Sequence, residues 1–511
     1  MRKNKLFLPC LALLACVVVS TVQRAPVRAA DMQSRGDHKA ASASNFSCNG
    51  TPVNFGPTVP GDALISAQMD ADCFGWAEFI ALNWPSSGSN FGNPGDLSAV
   101  QWETYIDAGA LFPPNGQKPP PWGGAKGNTE PVPSACSSQE NLRAESRGEL
   151  RVLRSASKFV SSTGDRSFGY QQAAPFNAPA WLGAQNGTNV WYEVLENQDI
   201  YNYVVATSNQ FYNATMQQKF VNNGQGSPIV FPKGSLSGSP VGAIELKAAW
   251  MEVPNYNPLA PGKWNKYKLS KAVVIGPTNN QCRNVIVALV GLHIIHKTGS
   301  QPTWAWATFE HVDDVPGANQ TSDCCNFNSS TCQPRQVTVS DSTCLGPDQR
   351  SPVTVSCTPN TSPPYYLGVG CPAPVPLQAT RTASLDSNAN KINATAWTAI
   401  KGSYPSSVYQ YYQLVDVLWS TNPTQDPTTP QKVPLNPRSL TSGNPNTLVF
   451  NVTLESYVQN SKCTDCHRYA NIAPSSQNLP WDGDFSFALG TASPASTAAR
   501  KALKAATPVR Y

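Results

Sequence analysis

Apolar positions along the 511-residue chain fall into three textures. The first is an apolar run from Leu6 to Val22, preceded by Met1-Arg-Lys-Asn-Lys5 and followed by Arg28-Ala-Ala30. A cationic start, a short apolar stretch and small residues at its end predict a secretory signal peptide over 1–30, cut near Ala29 or Ala30. The run is short for a membrane span, and no later stretch is long enough to be one. The second texture is helical spacing. Cys73-Phe-Gly-Trp-Ala-Glu-Phe-Ile-Ala-Leu-Asn-Trp-Pro85 predicts a core helix with aromatic anchors, stopped by Pro85. Ser138 to Val160, with charges of alternating sign, predicts a solvated helix, and Trp191 to Phe220 predicts one or two more. The third texture is alternation. Ala243–Val253, Lys266–Val274, Val285–His296 and Thr303–His311 read as four strands of one antiparallel sheet or sandwich. Ser407 to Trp419 predicts a return to strand. Residues 31–60 are small and polar, a flexible lead, while Pro85–Pro133 and Thr421–Pro445 are connections rich in turn residues.

Charge adds one exclusion. Five of the 37 basic residues (Arg2, Lys3, Lys5, Arg24, Arg28) lie in the first thirty, which hold no acidic residue, so processing leaves 32 basic against 32 acidic groups. A neutral mature chain lacks the basic face that a nucleic-acid partner requires. Charged residues make up only 14% of the chain and Pro reaches 45, which suits a loop-rich protein outside the cytoplasm. The 14 cysteines agree. Cys10 and Cys16 fall in the signal and Cys463 and Cys466 in a motif of their own. The rest (Cys48, Cys73, Cys136, Cys282, Cys324, Cys325, Cys332, Cys344, Cys357 and Cys371) can form five disulfides of undetermined pairing in an oxidising compartment. Residues 322–371 hold six of them and predict a disulfide-tied excursion. Leu13-Leu-Ala-Cys16 also fits a lipid-anchoring site at Cys16, a minor alternative because the apolar run continues past it.

The chemistry concentrates in Cys463-Thr-Asp-Cys-His467. Two cysteines three apart with a histidine behind the second read as a c-type haem attachment site. On one helical turn both sulfurs face the same way and reach the two vinyl groups of one porphyrin, and His467 is carried beneath the iron as proximal ligand. Asn451–Asn460, with spaced apolar residues and a capping Asn451, predicts a helix leading into the motif. A zinc site would need Cys466 and His467, adjacent in sequence, to share one tetrahedral ion, and no second C-x-x-C follows. A redox dithiol does not need the histidine. A secretory signal favours haem, which is attached outside the cytoplasm.

After His467 come 44 residues without His or Met, so a sixth iron ligand has to come from upstream. His38 lies in the lead and Met32 beside the cleavage point. Met69, Met216 and Met251 sit in apolar surroundings and read as core. Three histidines cluster, His293 and His296 in Gly291-Leu-His-Ile-Ile-His-Lys297 and His311 in Phe309-Glu-His. On a strand His293 and His296 face opposite ways, as do Glu310 and His311. His311 and His293 are the first candidates for distal ligand or pocket residue. Glu310 and Lys297 are candidates for supporting or proton-handling groups, so His293, His311, Glu310 and Lys297 are also the candidate catalytic residues.

Phe79-Ile-Ala-Leu-Asn-Trp-Pro85, Gly242–Trp250, Gly291–Thr298, Trp304–His311, Asn451–Tyr457, the C-x-x-C-H and Asp484-Phe-Ser-Phe487 together resemble exported bacterial proteins of the cytochrome c family that carry one C-terminal haem c motif. The resemblance covers most of the mature chain and implies haem and export; the cysteine-rich stretch 322–371 is extra to its pattern. It leaves the reaction open. The fold expectation is α+β: N-terminal helices, an antiparallel sheet or sandwich core over 61–430, and a helical haem c segment over 431–511 docked on it. The functional expectation is an exported, periplasmic or secreted mono-haem electron carrier serving a redox partner protein or a small-molecule donor or acceptor. The alternatives are a peroxidase-like haem enzyme with an open distal site, and a ligand-binding or sensor protein that uses haem as a relay.

Overall fold

In the computed structural model the described residues are 45–123, 151–153, 179–223, 229–276, 282–317, 325–421, 423, 437–438, 448–467, 470–473 and 483–494, without positions 89, 347, 348 and 369. The expected signal, the Cys16 anchor, His38, Met32 and most of the charged stretch 138–160 lie outside them.

The class is α+β. In chain order the strands are β1 (Asn45–Cys48), β2 (Thr51–Asn54), β3 (Ile106–Asp107), β4 (Arg151–Leu153), β5 (Val190–Glu196), β6 (Ile244–Val253), β7 (Leu269–Ile275), β8 (Cys282–His296), β9 (Ala305–His311), β10 (Arg335–Val337), β11 (Val353–Val355), β12 (Tyr412–Ser420) and β13 (Pro437–Arg438). The α-helices are α1 (Gln68–Leu82), α2 (Ala108–Leu111), α3 (Gln198–Val205), α4 (Ala214–Asn223), α5 (Ser387–Ser403) and α6 (Cys463–His467). Among the described residues nine strands form one sheet, ordered β13-β12-β9-β8-β6-β5-β3 with β7 and β4 branching from β8, and two separate ribbons pair β1 with β2 and β10 with β11. The large sheet is antiparallel except where β4 runs parallel to β7. The four expected strands are neighbours in it.

β8 is the spine. Its 15 residues, rich in Val, Ile and Leu, suit a pleated and largely buried strand. It pairs with β6 along most of its length, with β7 at its start and with β9 at its end. An extra residue, Val290, opposite the Ala249/Trp250 step bends the pair and switches the parity of the faces. One face is covered by α1, whose Phe79 ring stacks on Phe309 at 4.2 Å, and by α5, whose Asn393 accepts from Trp76 Nε1 at 3.0 Å. α1 is buried almost all round, as a helix trapped between layers must be. The other face is covered by α3, α4 and residues of 448–467, 470–473 and 483–494, where Val449, Ile472, Phe485 and Leu489 join Ile295, Trp306 and Leu418 in one apolar cluster. Every residue of β6 is therefore buried, although its alternating sequence reads as a strand with one wet face.

Several expectations need correcting. Residues 151–153 are strand, because Arg151 is held inside by Glu193 at 2.7 Å and Glu103 at 2.9 Å instead of facing water. Val190–Glu196 is strand and the helical spacing begins only at Asn197, whose side chain caps α3 by accepting from Ile200 N–H at 3.1 Å. The polar lead contains the β1–β2 ribbon, tied to α1 by the Cys48–Cys73 disulfide. Asn451–Asn460 is a series of turns and not a helix: Asn451 spends its amide across the sheet, on Thr308 Oγ1 at 2.9 Å and the Phe309 carbonyl at 2.8 Å. The described strands give one large sheet and two short ribbons. The cysteine-rich region is cross-linked by Cys332–Cys357 and Cys344–Cys371 around a small core that includes Trp181, Tyr365 and Leu367. Cys282 and Cys325 are disulfide-bonded as well.

The turn 451–456 lies directly on Gly291 of β8, where an added Cβ would stand 2.1 Å from Thr453 Oγ1 and 2.9 Å from Asn451 Oδ1. Gly291→Ala should cost about 1–3 kcal/mol by overpacking, measured by urea unfolding. Adding Thr453→Ala should recover part of the loss. Strict additivity of the two changes would show that the contact does not exist.

Candidate functional site

α6 is a single turn, closed at its start by Asp465, whose carboxylate accepts the Lys462 N–H at 3.1 Å. Positions three apart on a turn share a side, and Cys463 and Cys466 both line one pocket with His467. Both carry thiols and are half-buried. Ile295, Trp306, Ala307 and Val449 supply the apolar wall; His293, Glu455, Ser461 and Lys462 are the polar groups. The pocket is an open cleft, with about 420 Å³ of space between its walls when the part open to solvent is counted.

His467 is held on three sides. Its Nδ1–H donates to the Phe485 carbonyl at 2.7 Å. A carbonyl can only accept, so in the neutral ring the lone pair sits on Nε2. Trp306 meets the imidazole edge-on at 4.8 Å and Phe487 does so at 5.0 Å. The carbonyl that orients it belongs to an unusual piece of backbone: Asp484 and Phe485 have φ of 51° and 67°. A left-handed conformation at a bulky residue costs about 1–3 kcal/mol and persists only where its surroundings enforce it. Asp484 does the enforcing. Its buried carboxylate receives Lys297 Nζ at 2.6 Å and the Phe231 N–H at 2.8 Å, and its carbonyl receives Trp304 Nε1 at 3.0 Å. Burial raises the acidity range of this carboxyl, and the Lys297 charge opposes that rise.

On the same pocket stands His293, its Nε2 paired with Glu455 at 3.0 and 3.2 Å. Glu455 in turn accepts the Asn451 N–H at 3.0 Å, so the turn that Gly291 seats also delivers the carboxylate. The other sequence candidates fall elsewhere. Glu310 lies on the same sheet face as Trp306 but is consumed by Arg381 and by the Val452 N–H at 2.6 Å; it fixes the Glu455 turn from behind. Lys297 fixes the His467 loop. His296 points to the opposite face, against Glu78 of α1 and the Val241 carbonyl.

His311 does not line the pocket, contrary to its place among the first candidates. Its Nε2–H donates to the Lys266 carbonyl at 3.0 Å, its Nδ1 accepts the Asp313 N–H at 3.1 Å, and its ring stacks on Tyr267 at 3.7 Å. Register is the reason: Gly291 faces Glu310 and His293 faces Thr308, which puts His311 on the other side of the sheet. Glu455, Trp306 and Phe485 were not singled out by the sequence. The signal for Glu455 was present in Asn451-x-x-x-Glu455, but a helix there would have turned the carboxylate elsewhere.

Among the described residues no three His, Cys, Asp or Glu side chains group as ligands of one metal ion. The donors of the motif suit a group that meets two sulfurs and one imidazole at separate points. A covalently held porphyrin would be such a group, with Cys463 and Cys466 as its points of attachment and His467 as a ligand.

Burial holds the His311 ring neutral and lowers its pKa to about 3, below the ordinary value near 6.5. The unfolded chain then binds a proton that the fold refuses, so stability present above pH 6.5 is lost as pH falls. Over pH 6.5 to 4.5 the loss is roughly 2 kcal/mol. His311→Gln should flatten that limb in unfolding titrations. An unchanged slope would mean that His311 is not buried neutral.

Compared with protein-family models, curated proteins and solved structures, the chain matches none, so what the pocket does has to be argued from its own chemistry.

Proposed function

We propose that this is an exported mono-haem protein whose haem c is attached through Cys463 and Cys466, carries His467 as proximal iron ligand, and transfers electrons. The observation that carries this is the hydrogen bond from His467 Nδ1 to the Phe485 carbonyl, beside two thiols that line the same pocket. Histidines that bind metal characteristically donate their other N–H to a carbonyl or carboxylate, which fixes the tautomer and strengthens the ligating nitrogen. Haem supplies reversible one-electron chemistry at a potential set by its axial ligands and surroundings. The protein's own groups do the rest. Trp306 and Phe487 hold the imidazole plane, Ile295, Ala307 and Val449 exclude water from one side, and the Lys297–Asp484 pair keeps the Phe485 carbonyl aimed.

On this reading residues 431–511 are the attachment segment, docked on the 61–430 body, and His293 is the first choice for the sixth position. The apolar cluster shared by Val449, Phe485 and Leu489 with Ile295 and Trp306 supports the docking. Export into an oxidising compartment, periplasmic or extracellular, is supported by the disulfides of the fold and by the signal-like start of the chain. Among the described residues no helix is long and apolar enough to cross a membrane. Kinship with the exported cytochrome c family belongs to the same proposal, as does a redox partner protein or small-molecule donor or acceptor. A second reading, a peroxidase-like enzyme, draws on one observation: the His293–Glu455 pair sets an acid–base couple on the pocket wall.

Produced with a c-type haem maturation system, the protein should stain for haem on a denaturing gel, and Cys463→Ser with Cys466→Ser should abolish the stain. Ferric and ferrous spectra should be low-spin and unmoved by cyanide or carbon monoxide, and His293→Ala should make them high-spin. A high-spin parent that binds cyanide favours the enzyme. A properly exported protein without covalent haem ends the proposal.

A further inference from the structure

Two acids meet where α1 lies against β12, and nothing said so far uses them. Asp72 of α1 is wholly buried and Asp416 of β12 is 3% exposed. Asp416 sits at a bulge, where the pairing with β9 skips Val415, and bulges re-aim side chains beside functional sites. Gln68, one turn before Asp72, joins the two. Its NH2 group donates to Asp72 Oδ1 at 2.9 Å, to Asp416 Oδ1 at 3.3 Å and to the Val417 carbonyl at 2.9 Å. Trp419 Nε1 donates to Gln68 Oε1 at 2.7 Å, which turns the NH2 group toward the acids.

The acceptors outnumber the hydrogens. An amide NH2 carries two hydrogens, and here it meets three acceptors. The Val417 N–H supplies one more, to Asp416 Oδ1 at 2.5 Å. Asp72 Oδ2 is buried with no donor. A buried acceptor without a donor is unfavourable, and a proton on one of the acids both cancels a charge and turns an acceptor into a donor. No cation does this instead: among the described residues neither acid has an ion-pair partner. The other charged groups of the packed elements are engaged or face water. Asp386, the cap of α5, accepts the Asn388 N–H at 2.7 Å and adds repulsion to both acids. Asp70 is bonded to Asn49 and Ser66, Glu78 faces His296, and Glu310 faces Arg381. His311 of β9 is held neutral, and Lys391 and Lys401 of α5 are exposed. Burial lifts Asp72 to about 8 against the Gln68 hydrogen bond, and burial with Asp72 alongside lifts Asp416 well above the ordinary range.

We propose that Asp72 and Asp416 share one proton in the folded protein, and that this proton is a pH-sensitive latch seating α1 on β12. The proton comes from solvent and forms one O–H bond on a carboxylate oxygen; its release to solvent breaks that bond. Release leaves two like charges between helix and sheet. α1 then loosens, together with the β1–β2 ribbon that Cys48–Cys73 ties to it. The latch is independent of what the pocket at His467 binds. The sign follows from the raised pKa. The stability it contributes is complete below the ordinary aspartate value near 3.9 and is lost as pH rises toward about 8.

Urea unfolding of the full chain from pH 5 to pH 9, with disulfides intact, tests this. Asn copies the neutral acid, so Asp72→Asn and Asp416→Asn should each gain on the parent by up to about tenfold in the folding equilibrium per pH unit until the pair has ionised, and by no more beyond that. Amide exchange in Gln68–Leu82, compared at equal pH, should be about tenfold or more faster in the parent than in either variant at pH 9, with the ratio shrinking toward pH 5. If only one variant folds, it decides the matter alone. A gain that does not vary with pH, or an α1 exchange ratio that is the same at both ends of the range, overturns the proposal. Failure of both variants to fold overturns it as well, because a pair that already holds a proton tolerates the neutral amide.

Discussion

One constraint organises the site: the two-residue period of a pleated strand, applied to β8 and β9 side by side. Along β8 and just past it, Gly291, His293, Ile295 and Lys297 follow at intervals of two. Gly291 leaves room for the turn 451–455, His293 meets the Glu455 that this turn delivers, Ile295 walls the pocket, and Lys297 anchors the Asp484 loop. The neighbouring strand repeats the scheme. Trp306 touches His467, Thr308 receives Asn451, and Glu310 receives the Val452 N–H. Both loops of the C-terminal chain are therefore fastened to one face of one pair of strands. Register between those strands sets their separation, and with it the width of the pocket.

This also explains what could and could not be read beforehand. Parity within a strand is legible from sequence, and the separation of His293 from His296 and of Glu310 from His311 holds in the structure. Parity between strands is not legible, because it depends on register, and register is set by the whole sheet. His293 and His311 looked equivalent for that reason alone. The strands over 243–311 were visible because β-branched and apolar residues alternate there. α5 passed unnoticed, since Ser387–Ser403 is rich in Ser, Asn and Ala with few large apolar residues. Its helix is fixed from outside, by Asp386 capping at 2.7 Å and by Asn393 reaching Trp76 and the Leu414 carbonyl. Glu103, Arg151, Glu193 and Lys268 form a buried charge network, of which charge patterning assigns Arg151 to a wet face. Burial of a charge depends on partners distant in sequence, which no local window contains.

The two loops at the pocket are stabilised by different means. The Glu455 turn packs on Gly291, is hydrogen-bonded through Asn451 and gives its Val452 N–H to Glu310, but spends no buried ion pair of its own within the loop. The Asp484 loop relies on a buried ion pair, and removing either partner of such a pair leaves an uncompensated charge that costs about 3–5 kcal/mol. That asymmetry suits the roles assigned to the two sides. The histidine that orients on Phe485 is held by the costlier arrangement, which also carries the backbone strain at Asp484 and Phe485. His293 is held by the more adaptable one.

The buried charges near the pocket divide along the same line. Lys297 with Asp484 and Arg381 with Glu310 are matched pairs, each buried acid facing a cation. Glu196 is the exception, a buried acid whose two carboxylate oxygens have no hydrogen-bond partner. A sheet that needed only stability would place apolar residues at that cross-strand position, as it does at Ile295 beside it, because burying a carboxyl without a partner is unfavourable.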